Sequence, residues 1–315
     1  MGATNSEVVG GIDTYVLYGV QTSYTTGVTP GTIFGGLVTS SNFETDRQYN
    51  ERTGFVGTQA YDGRATAQQL AGTVTTNGTV EFDVQRWDWL EYVLLANRTG
   101  SGTTGTPYEY TIGKTTKALT VSEEIDNVET DSHRVYEGMV INSVNIRCSV
   151  GEPVTATVNL MGGRVNKGTT IQAKQSQLTD EVYNFSGGSI TFGAGVLNNI
   201  VDSIDITITN NYTLLYGFNE EARNARAGKL NLTFRLTTKY LDDTQMAQLL
   251  GSSTALDDQT PIDVKLKFEK GTNKYIEFDF KDVVLNRSGT RHQLNEFVVE
   301  ETDMLPKRLI VKEVV

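Results

Sequence analysis

An all-β chain, arranged as two tandem antiparallel β-sandwiches each flanked by one short helix, is predicted by three observations on the 315 residues. Apolar and polar residues alternate with period two over much of the chain, the signature of strands with one dry face. Helical spacing occurs in only a few short stretches. One strand-to-helix pattern occurs twice. Gly72-Thr-Val-Thr-Thr-Asn-Gly-Thr-Val-Glu-Phe-Asp-Val84 precedes Trp87-Asp-Trp-Leu-Glu-Tyr-Val-Leu-Leu95, and Gly228-Lys-Leu-Asn-Leu-Thr-Phe-Arg-Leu236 precedes Tyr240 to Leu250. The glycines are offset by 228 − 72 = 156 residues and the closing leucines by 250 − 95 = 155. Each half has the length of an ordinary domain.

In the first half, strands are predicted near 14–20, 38–45, 73–84, 108–112, 118–123, 138–150 and 153–161. In the second they fall near 188–192, 202–209, 229–238, 261–269, 274–285, 294–301 and 308–314. Ile204, Ile206 and Ile208 alternate with Asp205, Thr207 and Thr209; Val154, Ala156, Val158 and Leu160 alternate with Thr155, Thr157 and Asn159. Such alternation indicates antiparallel sheets. Residues 86–96 place Trp87, Leu90 and Leu94 on one helical stripe. Residues 240–250 group Met246, Leu249 and Leu250, with Asp242 and Asp243 at the start and Gly251 as a stop. Asn219 to Ala227 is polar all round and reads as a loop turn.

The domains are assigned to 1–165 and 186–315, with residues 166–185 as linker. Two polar stretches, 46–71 and 210–227, sit at matching places and read as long loops. Loops of that length are usually functional or disordered. Their mixed charges suggest contact with another copy, and Arg47, Arg52, Arg64, Glu220 and Arg223 are the candidate contact residues.

Formal net charge is −11, which excludes a basic groove holding nucleic-acid phosphates. A like-charged wall is still compatible with DNA passing along it. Cys148 is the sole cysteine, so no intrachain disulfide forms; its place in Val144, Ile146, Cys148, Val150 predicts strand burial. No signal peptide or membrane-spanning run is read, and Gly2 with Ser6 matches the acylation pattern only loosely. Synthesis in the cytoplasm is the expectation.

A catalytic set is missing from the sequence. Its two histidines, His133 and His292, each adjoin an arginine, and no nucleophile elbow, phosphate loop or dinucleotide motif occurs. The acidic run Glu123, Glu124, Asp126, Glu129 and Asp131 lacks calcium-loop spacing and reads as a solvated loop. No enzyme, cofactor or metal is expected.

With this order in place, the chain resembles the tail tube proteins of tailed bacteriophages and archaeal tailed viruses. The resemblance rests on Gly72 to Val84 with Trp87 to Leu95, on Leu119 to Glu124, on Tyr136 to Ile146, on Gly151 to Gly162, and on Gly187 to Phe192 with Asp202 to Asn210. It implies β-sandwich domains with a flanking helix whose inner sheets join round a ring. Stacked rings make a hollow tail tube that guides the tape measure protein and then conducts DNA. It implies further partners at the tail tip or baseplate and at the terminator. Two domains per chain favour a trimeric ring with pseudo-sixfold symmetry over a hexamer. The bore-facing residues are then expected to be acidic or neutral, because fixed cations would hold each phosphate. Other readings are a secretion tube, a baseplate hub part, a capsid decoration protein, or a carbohydrate-binding tandem sandwich. The last would need an exposed aromatic platform, and Trp87 and Trp89 are the only tryptophans.

Overall fold

The computed structural model describes residues 14–52, 68–125, 132–168, 180–185, 188–193, 195–196, 201–218, 220–240, 244–251, 257–270, 273–292 and 297–315. The first half contains β1 (Thr14–Val20), β2 (Thr32–Ile33), β3 (Gly36–Arg52), β4 (Gln68–Val84), α1 (Leu90–Val93), β5 (Tyr108–Thr111), β6 (Leu119–Ile125), β7 (Ser132–Ser149), β8 (Thr155–Gly162) and β9 (Arg164–Gly168). The second contains β10 (Ser189–Phe192), β11 (Gly195–Val196), β12 (Val201–Thr209), β13 (Thr213–Tyr216), β14 (Ala222–Arg226), β15 (Asn231–Lys239), α2 (Thr244–Leu250), β16 (Ile262–Lys270), β17 (Lys274–Arg291), β18 (Val299–Leu305) and β19 (Arg308–Val314). The chain is all-β with antiparallel pairing throughout the described strands.

Three sheets share two long strands. The outer sheet of the first half runs β2-β1-β6-β7-β9. That of the second runs β11-β10-β16-β17-β19-β5. Between them lies one inner sheet of eight strands, β3-β4-β8-β7-β12-β15-β18-β17. β7 and β17 each belong to an outer sheet at their start and to the inner sheet at their end. A left-handed residue marks the crossing in both: Gly138 at φ 65° and Asp282 at φ 52°.

The halves repeat in register. β7 and β8 slip by one residue between Ile141 and Ser143; β17 and β18 slip between Leu285 and Arg287, an offset of 285 − 141 = 144. β3 and β4 slip between Val38 and Ser40; β12 and β15 slip between Val201 and Ser203, an offset of 201 − 38 = 163. The β4–β8 and β15–β18 ladders match at offsets of 156 and 144, the first being the glycine offset seen in the sequence. Bulges are conserved devices that set twist and pairing, so their recurrence identifies equivalent strands residue by residue.

A substitution between strands preserves one packing feature. Phe234 on β15 stacks on Phe280 at 4.9 Å. Its counterpart on β4 is Gly78, and there Phe43 of β3 stacks on Tyr136 at 4.7 Å instead. A Cβ on Gly78 would lie 2.4 Å from the Phe43 ring, so glycine makes room for the borrowed ring.

Four local expectations change. Both ends of the stretch 46–71 are strand: β3 extends to Arg52 and β4 begins at Gln68, and residues 53–67 lie outside the described residues. It carries charge on both faces, so it showed no alternation. Residues 210–227 hold the β13–β14 hairpin. The first helix is one turn only, because Trp87 and Trp89 are pinned in the core before it starts. Glu123 and Glu124 lie in β6, and Glu124 is fully buried against His133 at 2.7 Å; the rest of that acidic run lies outside the described residues. Cys148 is buried as expected, its thiol pushed up to about 12 by burial, whereas Val150 is exposed.

One apolar cluster spans both halves. Trp87 is its keystone, with ring centroids 5.7 Å from Trp89, 5.6 Å from Tyr183 and 5.5 Å from Phe278. Removing a buried aromatic costs about 3–5 kcal/mol. Phe278→Ala is therefore expected to lower stability by that amount in urea unfolding. Tryptophan fluorescence, reporting on Trp87 and Trp89, should move together with circular dichroism; two separate transitions would show that the halves unfold independently.

Candidate assembly surface

The charged candidates fall on two hairpins. β4 pairs with β8 only from Thr76 to Asp83, so its first eight residues and the end of β3 overhang the sheet. At about 3.4 Å per residue the overhang is about 27 Å long. The β13–β14 hairpin lies along this arm. Val74 donates its backbone N–H to the Glu220 carbonyl at 2.8 Å, and the Tyr216 hydroxyl donates to the Val74 carbonyl at 2.9 Å. Arg47 forms an ion pair with Glu220, and its guanidinium sits 5.7 Å from the Tyr49 ring centroid.

Two of the five sequence candidates are thus brought together, Arg47 and Glu220, and within one chain. Arg223 lies in β14 against Gly217 and faces the Gln21–Thr25 loop. Beside it Arg164 bridges Glu221 at 3.1 Å and Glu137 at 3.4 Å. Arg52 closes β3 opposite Gln68. Arg64 lies outside the described residues. Phe218, at the turn of the β13–β14 hairpin, is wholly exposed.

Sequence reasoning missed the edges of the inner sheet. Inside the chain, the end of β7 pairs with β12 from Ser143↔Thr209 to Ser149↔Ser203. On the core side of this seam Val144, Ile146, Cys148, Ile204, Ile206 and Ile208 are all buried. The counterparts of β12 and of the end of β7 are β3 and the end of β17. Among the described residues each of these has a ladder partner on one side only. Their core-side positions carry Ser41, Phe43 and Thr45 on β3, and Ser288, Thr290 and His292 after the equivalent point on β17; all six are half-buried or exposed. The signal that could have found them is the shared Val-(Ile/Leu)-Asn of residues 140–142 and 284–286.

The other face of the inner sheet is polar. Asn159 donates to Ser143 at 3.1 Å and Thr79 to Asn159 at 3.1 Å. Arg147 pairs with Asp205 at 3.0 Å, and Arg235 with Asp303 at 2.6 Å. Its hydrogen bond to Asp303 holds the Arg235 guanidinium more firmly charged than usual. Around the internal seam the face therefore carries hydroxyls, amides and two arginines paired with carboxylates.

One outer edge is capped. β5, from the first half, pairs with β19 of the second, and Tyr110 donates to the buried Glu313 at 2.6 Å. Desolvation pushes the Glu313 carboxyl above its usual range, with Asp88 adding to the effect. Both tryptophans are wholly buried, so they form no exposed platform for sugar binding. No cluster of metal-binding side chains and no helix long and apolar enough to cross a membrane occurs among the described residues.

A family model described as phage tail tube protein matches residues 11–295. None of the curated proteins compared with the chain matches it.

Two measurements check this surface. The Arg47–Glu220 pair is exposed, and such pairs contribute about 0–1 kcal/mol; Arg47→Ala should lower the unfolding free energy of the isolated chain in urea by no more than that. For Glu313, a raised folded-state pKa means a stabilising contribution that is full below the unfolded pKa and lost as pH rises through the folded one. Glu313→Gln is expected to melt above the parent protein at pH 7.5, with the gap closing near pH 4. A constant gap at both pH values would contradict the buried-acid assignment.

Proposed function

The chain belongs to the phage tail tube protein family, a structural component of the virion tail, and from that premise we propose how its copies build the tube. Copies join head to tail through their inner sheets, three to a ring, and the rings stack into a hollow conduit. The observation that carries this reading is the β7–β12 seam. One chain already joins two equivalent half-sheets edge to edge, and it leaves one edge of each kind, β3 and the end of β17, at its two extremes. Repeating the same join between copies leaves no edge open, which is how a barrel removes the hazard of unpaired strands.

Size favours three copies. Eight inner strands per chain make about two dozen in a trimer; at about 4.8 Å spacing and about 40° tilt these close a barrel about 48 Å across between backbones. Six copies would double that width and leave far more room than one double helix needs. In this arrangement residues 1–165 and 186–315 act as successive units of a pseudo-sixfold ring, joined through 166–185. The polar face lines the bore, first around the tape measure protein during assembly and then along DNA in transit. The tube ends meet the tail tip or baseplate at one end and the terminator at the other.

The β3–β4 arm overhangs along the strand direction and reaches the neighbouring ring. Arg47 with Glu220 holds the arm against the folded β13–β14 hairpin, and Arg52, Arg64 and Arg223 complete the stacking surface. Each exposed ion pair is weak, so tube length depends on many repeated contacts.

Negative-stain microscopy of the purified chain is expected to show rings and hollow striated tubes; monodisperse monomers under all conditions would contradict the reading. Replacing Arg47, Arg52 and Arg64 together by Glu should leave rings intact and shorten the tubes several-fold. Full-length tubes from that variant would remove the arm from the stacking contact.

A further inference from the structure

We infer that the seam between copies has a register dictated by the seam within the chain, and that it is held by backbone ladder and charge where the internal seam is held by apolar packing. The inference rests on the head-to-tail reading above. In the internal seam Ser143 faces Thr209, Asn145 faces Thr207 and Arg147 faces Asp205. Moving β7 forward by 144 gives Arg287, Gly289 and Arg291; moving β12 back by 163 gives Asp46, Glu44 and Asn42. The structure therefore assigns Arg287 opposite Asp46 of the next copy, Gly289 opposite Glu44, and Arg291 opposite Asn42.

Charge agrees with this placement. On the polar face, β17 presents two arginines and β3 presents two carboxylates, all four exposed. Arg287 faces Asp46 directly and lies diagonal to Glu44; Arg291 lies diagonal to Glu44 from the other side. Directly opposed and diagonal residues are within reach of long side chains across an antiparallel pair. The internal seam uses the same device once, in Arg147 with Asp205 at 3.0 Å.

The core side differs in kind. Val144, Ile146 and Cys148 become Ser288, Thr290 and His292; Ile204, Ile206 and Ile208 become Ser41, Phe43 and Thr45, of which Phe43 is engaged within the chain by stacking on Tyr136. The internal seam is covered as the chain folds. The outer edges must face water until a second copy arrives, and an apolar edge strand would pair indiscriminately. Hydroxyl side chains keep the edge soluble and leave the ladder free to form. A seam held by exposed charge is weakened by salt, since screening acts on such pairs first.

Cysteine pairs test the register. Gly289→Cys with Glu44→Cys places the two Cβ atoms directly opposite, and Gly289 has open space where a Cβ would stand. Shifted controls are Gly289→Cys with Asn42→Cys and Gly289→Cys with Asp46→Cys, whose Cβ atoms lie beyond disulfide reach. On mild oxidation of assembled rings, the direct pair should give covalent dimers and trimers on denaturing gels at least tenfold faster than either control. Rings that cross-link faster at a shifted pair overturn the register and leave the ring reading intact; failure of the unsubstituted protein to form rings overturns both. Arg287→Glu should raise the concentration needed for assembly about tenfold, Arg287→Glu with Asp46→Arg should restore it, and 1 M salt should weaken assembly of the parent protein. Assembly unchanged by Arg287→Glu would overturn the charge assignment.

Discussion

An unpaired sheet edge carries a row of backbone donors and acceptors that bind water in the free chain and another strand when one is offered. The join of β7 to β12 satisfies one such edge within the molecule, and most of the architecture follows from it. It fuses two half-sheets into one surface of eight strands. It brings the cores of the two halves into a single apolar cluster around Trp87 and Phe278. It also fixes what remains open, because a repeated unit that is closed on one side must be open on the complementary side.

The repeat holds in the pairing of the inner sheet and departs elsewhere, and the differences have separate physical reasons. Phe43 replaces Phe234 in the aromatic stack because Gly78 clears its path. β5 covers β19, whereas the corresponding β9 has only β7 beside it among the described strands. The connection that forms an extended arm in the first half is folded into the β13–β14 hairpin in the second and laid against that arm. In the proposed ring of three chains, these differences would set threefold decoration above an inner wall of six half-sheets.

Much of this was legible in the sequence wherever a strand buries one face. Ile204, Ile206 and Ile208 alternate because the core covers only one face of β12, and the 156-residue glycine offset proved to be the structural offset of β4 and β15. Legibility failed where burial was absent or complete. The arm of β3 and β4 has charge on both faces and read as loop. Trp87 and Trp89 are so deeply held that the helical stripe of 86–96 shortened to one turn. Glu124 read as solvent-facing because its partner His133 is supplied by tertiary pairing. The charged candidates Arg47 and Glu220 were found from matching positions in the two halves. The edge residues Arg287 and Asp46 were not, since only the bulge at Asn142 and Asn286 reveals which strands correspond.

The central claim is that closing the ring repeats between chains the join already made inside one chain, and that six half-sheets complete the circle. Native mass spectrometry of the smallest closed particle tests it most directly. The account predicts a particle of three chains, each of 34.6 kDa. A closed particle of six chains, or a stable single chain that never associates, would contradict it.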